Sequence, residues 1–153
     1  MSGCGKTTVG KLLAQMLGMR FVDVDDFIQQ RQGASIKKIF AEQGEAYFRS
    51  LEKMACKELA SAPSTVISTG GGAVTVRDTM QSFGLCTVVY IKRDVEAIIS
   101  TADASVRPLF TDADAVKRLY RQRKALYEKY AHFTVENITP EQCAQEIIDL
   151  IKK

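Results

Sequence analysis

The chain has one histidine, and its four cysteines never stand as a C-x-x-C pair. Cys4, Cys56, Cys86 and Cys143 are scattered, so no zinc site has its ligand spacing. Unpaired thiols of this kind fit a reducing compartment, and the expectation is a cytoplasmic protein. No apolar run approaches the length of a membrane span, and the first residues do not form a signal peptide. Charge of one sign is also scarce: 21 Lys and Arg against 18 Asp and Glu leave a net +3. That is too little to imply nucleic acid, although it suits a site for anionic ligands. The basic run from Lys117 to Lys124 has no aromatic platform beside it and reads as a solvated helix face. Repeats, low-complexity segments and linkers are absent. The remainder is ordinary for a globular protein: 25% charged residues, 46% hydrophobic, and 153 residues, enough for one domain with one core.

The most informative absence stands beside the most informative presence. Gly3, Gly5, Lys6 and Thr7 form the back half of the phosphate-binding pattern G-x-x-x-x-G-K-[ST], and the helical run Val9-Gly10-Lys11-Leu12-Leu13 follows. A Gly-rich turn opening a helix offers backbone N–H groups to a polyphosphate. Lys6 adds a mobile positive charge, and the Thr7 hydroxyl suits the coordination shell of Mg²⁺. The alternative is a plain Gly-rich helix start with a chance lysine. The leading Gly of the full pattern is missing, as is the apolar strand that should lead into it.

Apolar residues at helical spacing predict a helix from Lys6 to Leu17, ended by Gly18. Phe21 to Asp25 reads as a short strand. Ser35 caps a helix that Gly44 interrupts and that resumes through Leu59. Thr65 to Ser68 reads as a buried strand leading to Gly70-Gly71-Gly72, and a helix is expected from Val76 to Phe83. Cys86 to Ile91 is the clearest strand, with both faces apolar. Asp94 caps a helix to about Thr101, and Thr101 to Thr111 reads as a loop. A long helix to Tyr130, a strand near Phe133 to Val135 and a terminal helix opened by Thr139-Pro140 complete the chain. Strands alternating with helices predict an α/β protein with a covered parallel sheet, its ligands beyond the strands' carboxyl ends.

Candidate polar groups fall at those ends or on the helices that follow. Asp23 and Asp25, two apart on one strand, are expected on the same side. One suits Mg²⁺ or its waters, and the other suits accepting a proton from an alcohol; the alternative is a solvated pair. The glycine triplet reads as backbone that approaches a substrate closely, or as a flexible connection. Arg49 and Arg123 have the fork that grips carboxylate or phosphate, but local pattern singles out neither. Arg107, before Pro108, is either an ordinary loop arginine or one that swings over a transferring phosphoryl group. Cys4, beside Lys6 and a helix amino terminus, is expected to have a lowered thiol pKa with no catalytic role.

Taken in order, Gly3-Cys4-Gly5-Lys6-Thr7-Thr8, Asp23-Val24-Asp25, Phe48-Arg49, Gly70-Gly71-Gly72-Ala73, Arg107-Pro108-Leu109 and Arg123-Lys124-Ala125-Leu126-Tyr127 resemble shikimate kinase over essentially the whole chain. The resemblance implies a three-layer P-loop kinase fold: a five-stranded parallel sheet, helices on both faces and a mobile lid. One domain, 1–153, would contain the phosphate loop at 3–8, substrate-binding helices at about 25–61 and the lid at about 102–111. The implied reaction is MgATP-dependent phosphorylation of the 3-hydroxyl of shikimate on the route to chorismate. Gly3, Cys4, Gly5, Lys6, Thr7, Thr8 and Arg107 would hold ATP, with Thr7 and Asp23 at the metal. Asp25, Arg49, Gly71 and Arg123 would hold shikimate. Asp25, Lys6 and Arg107 would carry the chemistry, in a monomer that binds neither membrane nor nucleic acid. At Ser100 the family usually has an arginine against adenine, so altered nucleotide affinity or base selectivity is expected. The first strand lies mid-sheet in this architecture. Without it, unpaired backbone is expected in the core, with a start about ten residues late. The alternatives are a catalytically impaired shikimate- or nucleotide-binding module and a related kinase such as gluconate kinase.

Overall fold

The computed structural model describes residues 1–100 and 112–152. The segment expected as the lid, Arg107 included, lies outside the described residues. Helix α1 (Lys6–Leu17) opens at Gly5, whose φ of 91° no side-chain-bearing residue adopts easily. It closes at Gly18, where the N–H groups of Gly18 and Met19 donate to the carbonyls of Gln15 and Ala14. Strand β1 (Arg20–Asp23) follows, then α2 (Val24–Gln32) and the long α3 (Ile36–Leu59). Ser35 caps α3 by accepting from Lys38 N, and Gly44 kinks it at φ 82°. Next come β2 (Thr65–Ser68), a 3₁₀ turn (Ala73–Thr75), α4 (Arg77–Gln81), β3 (Val89–Lys92) and α5 (Val95–Ser100). The chain finishes with α6 (Ala113–Tyr130), β4 (Phe133–Glu136) and α7 (Pro140–Ile151).

Three predicted elements are corrected. The strand expected to reach Asp25 stops at Asp23, because the Asp23 carboxylate accepts from Asp25 N at 3.0 Å and so caps α2. The strand expected from Cys86 begins only at Val89. Val88 N donates to the imidazole Nδ1 of His132 at 3.0 Å and so takes no place in a ladder. The helix expected over 76–83 is also shorter, with regular turns only from Arg77 to Gln81.

The strands pair in parallel, β1 with β2 (Arg20 opposite Thr65) and β3 with β4 (Val89 opposite Phe133). Among the described residues they form two two-stranded sheets, with no ladder joining β2 to β3. All four nevertheless point the same way, because each carboxyl end meets the phosphate loop. Asp23, ending β1, accepts from the Thr7 hydroxyl. Gly71, beyond β2, lies against Met1 and Ser2. Arg93, after β3, donates to the Gly3 carbonyl at 3.1 Å, and Asn137, after β4, donates to the Cys4 carbonyl at 2.8 Å. Two apolar clusters flank this arrangement. One joins α1, α5, α6 and α7 to β3 and β4 through Val9, Ile98, Val116, Val135 and Ile147. The other gathers α2, α3 and α4 through Val24, Ile28, Phe48, Leu59 and Met80. Among the described residues, no helix is long and apolar enough to cross a membrane.

Candidate active site

The phosphate loop is held from behind. Arg93 and Asn137 donate to the carbonyls of Gly3 and Cys4 and so brace the loop. Lys6 Nζ donates to the Met1 carbonyl at 2.6 Å. Thr7 Oγ1 donates to Asp23 Oδ2 at 2.9 Å, which sets a hydroxyl and a carboxylate side by side at the start of α1. Burial alone would push the Cys4 thiol up. The Lys6 ammonium and the nearby amino terminus outweigh it, so the net shift is downward, as expected from the sequence.

Asp25 sits in the first turn of α2, and Asp23 is its cap. The two carboxylates are brought together by a helix start, not by one strand face. Burial, then Asp23, then Glu52 push the Asp25 carboxyl up to about 6, against the pull of Lys6 and Arg49. Its Oδ1 is buried without a hydrogen-bond partner, as is Glu52 Oε1. Both oxygens face Gly70: a Cβ built there would stand 3.3 Å from Asp25 Oδ1 and 2.6 Å from Glu52 Oε1. The triplet's glycines all have negative φ, so close approach is what requires them. Their neighbours are the protein's own groups. A Cβ on Gly71 would strike Ser2, and one on Gly72 would strike the Arg49 guanidinium.

Arg49 is bridged on both sides. Nη1 donates to Glu52 Oε2 at 2.8 Å, while Nη2 and Nε donate to Glu45 Oε1 at 2.9 and 3.3 Å. Burial pulls its pKa down, and the two glutamates more than offset that. Arg123, on α6, is 8% exposed, and its charge bears on both Glu52 and Tyr127. The structure therefore gathers Lys6, Thr7, Asp23, Asp25, Arg49, Gly71 and Arg123 around the carboxyl ends of β1 and β2. Ser100 lies apart at the end of α5, with its hydroxyl donating to the Ala97 carbonyl.

The sequence of the shikimate kinase family matches the chain over residues 2–152. A shikimate kinase from Clostridium botulinum is 40% identical over the whole of this chain and 92% of its own length. One from Nostoc punctiforme is also 40% identical, over 99% of this chain and 87% of its own. The solved shikimate kinase from Acinetobacter baumannii in complex with shikimate superposes with a TM-score of 0.93 at 36% identity, covering 98% of this chain and 88% of that one.

The chain belongs to the shikimate kinase family.

Packing brings in further groups to which the sequence reading gave no role. Glu52 is fully buried, and burial pushes its carboxyl up although Arg49 and Arg123 pull it back. Its signal was present: Glu52 stands three residues after Arg49 on one helix, the spacing of a facing pair. Tyr127 donates to the Gly71 carbonyl at 2.5 Å and stacks on Tyr90. That link joins α6 to the triplet, and only the distant chain contact reveals it. Arg93 and Asn137 each stand just past a strand, where polar residues of parallel sheets meet ligand loops.

Proposed function

We propose that the chain transfers the terminal phosphoryl group of ATP to the 3-hydroxyl of shikimate, releasing ADP and shikimate 3-phosphate. The observation that carries this reading is the position of Asp25. Its orphaned, buried Oδ1 stands where Lys6 of the phosphate loop and Arg49 of α3 both bear on it. A hydroxyl donating to Asp25 fills the missing hydrogen bond. As the hydroxyl oxygen forms its bond to the γ-phosphorus, its proton passes to Asp25 and the bond to the β-phosphate bridging oxygen breaks. With a carboxyl poised at about 6, the base is ionised at neutral pH yet close enough to neutrality to take a proton.

Arg49 and Arg123 would grip the ring carboxylate, with the Gly71 backbone alongside, and this sets the substrate's hydroxyl toward the phosphate loop. Lys6 would leave the Met1 carbonyl for the transferring phosphate. Gly3 to Thr8 would hold the remaining phosphate oxygens through backbone N–H groups. The hard oxygen pair of Thr7 and Asp23, 2.9 Å apart beside the loop, fits Mg²⁺, which takes one or two protein oxygens and keeps phosphate and water as the rest. When bound, the metal neutralises charge on the phosphates. Four free thiols fit a reducing cytoplasm, where we place the enzyme.

A coupled assay of ADP release with shikimate, with gluconate and with no acceptor tests the reading. ADP should appear with shikimate alone. Equal release without an acceptor, or a preference for gluconate, rejects it.

A further inference from the structure

The three glycines that follow β2 differ in how their carbonyls are met. Gly70 O accepts from Ala73 N at 3.2 Å, and Gly72 O accepts from Thr75 N at 2.9 Å and from the Thr75 hydroxyl at 2.7 Å. Both are local turns. The Gly71 carbonyl instead accepts from the Tyr127 hydroxyl at 2.5 Å, 56 positions away on α6. The peptide it belongs to lies between two glycines. Neither has a Cβ to resist rotation, so the local chain does little to choose which way that peptide faces. A trans peptide is planar, so a donor that fixes the Gly71 carbonyl also points the Gly72 N–H the opposite way. Among the described residues no acceptor takes that N–H. Gly72 itself borders the Arg49 guanidinium, which a Cβ there would strike.

Tyr127 is held in one orientation. It is buried, and its ring stacks on Tyr90 of β3 with centroids 5.1 Å apart. The guanidinium of Arg123, one turn earlier on α6, bears on the same hydroxyl by charge and by hydrogen bonding. A phenol oxygen can accept while its proton is donated, so this single hydroxyl ties Arg123 to the glycine triplet. We propose that Tyr127 is a positioning residue for the substrate's carboxylate: it locks the Gly71–Gly72 peptide in the orientation that presents the Gly72 N–H, and it sets Arg123 beside that donor. Tyr127 does not touch the substrate in this assignment, which rests on the shikimate reading above; it acts through the groups that do.

The test is Tyr127→Phe, which keeps the ring and its stacking but removes the hydroxyl. KM for shikimate should rise about tenfold, with kcat and KM for ATP within about twofold of the parent. Added to Arg123→Ala, the same change should raise KM by much less than it does alone, because both loosen one grip. A hydroxyl that only stabilises the fold would lower the unfolding midpoint and leave KM where it was. That result overturns the proposal, as do equal rises in both Michaelis constants, or fold-changes that simply multiply in the double variant. If the Phe variant does not fold, a ring-fluorinated tyrosine at position 127 keeps the hydroxyl on a more acidic phenol. KM for shikimate should then climb with pH as that phenol loses the proton it donates, and a profile parallel to the parent's overturns the proposal. A parent that releases no ADP with shikimate rejects the shikimate reading and this assignment together; a working parent with an unchanged Phe variant rejects the role of Tyr127 alone.

Discussion

Replacing Asp25 by Asn should make the ligand-free protein more stable and far less active. The carboxyl stands at about 6 against an ordinary 3.8, raised by burial, Asp23 and Glu52. Because the fold raises this acid's pKa, stability from its protonated form is present below about 4 and is lost as pH rises through about 6. A shift of about two units is worth roughly 3 kcal/mol once the group is fully ionised. At pH 8 the whole penalty applies; at pH 5, with most of the folded molecules protonated, roughly half of it does. Asp25→Asn removes the ionisation while leaving one side-chain oxygen and the volume in place. Urea unfolding in the presence of a chelator should therefore show a gain over the parent that is larger at pH 8 than at pH 5 by roughly 1.4 kcal/mol. Turnover should fall by about 10²–10⁴, the usual contribution of a positioned base. A gain independent of pH would refute the burial argument, and a near-normal rate would refute the base assignment.

Arg123→Ala should raise KM for shikimate by about 10- to 100-fold, the loss of one charged hydrogen-bonding partner, while KM for ATP moves less than about twofold. Equal effects on both substrates would reject the carboxylate clamp. Asp23→Asn should raise the Mg²⁺ concentration needed for half-maximal rate by about tenfold without changing KM for shikimate, and an unchanged Mg²⁺ titration would remove Asp23 from the metal site. Tyr127→Phe orphans the Gly71 carbonyl and should cost about 1–2 kcal/mol in denaturant unfolding; a neutral result would show that water replaces the hydroxyl there.

Local chemistry was easiest to read where one residue acts on its own neighbours. Ser35, Asp94 and Thr139 were legible as caps, and each accepts the backbone N–H expected of it, from Lys38, Ala97 and Gln142. The phosphate loop and its helix were legible for the same reason. Asp23 misled because a strand end and a helix cap present the same sequence; the hydrogen bond to Asp25 N decides between them. Glu52 and Tyr127 were harder, since their importance comes from burial and from partners brought in by other segments. Glu52 closes on Gly70 across 18 positions, and Tyr127 reaches Gly71 across 56. The pairing of the strands two and two among the described residues is a product of tertiary packing.

The two glutamates on Arg49 are unequal, and the difference predicts opposite mutant effects. Glu52 is wholly buried and takes Nη1, whereas Glu45 has a half-exposed side chain and takes the Nη2–Nε side of the fork. A substrate carboxylate that pairs bidentately with Arg49 needs that outer side, so it must displace Glu45 and can leave Glu52 in place. An exposed i,i+4 pair contributes about 0–1 kcal/mol, so removing the competitor should be cheap for the fold. Glu45→Ala is therefore expected to lower KM for shikimate by up to about fivefold at constant kcat. Glu52→Ala, which strips the buried brace from Arg49 and leaves a cavity, should raise KM and destabilise the protein by about 3–5 kcal/mol. Steady-state kinetics at low ionic strength separate the two, since screening weakens the Glu45 bridge first. A rise in KM on removing Glu45 would mean that this glutamate orients Arg49 for the substrate instead of competing with it.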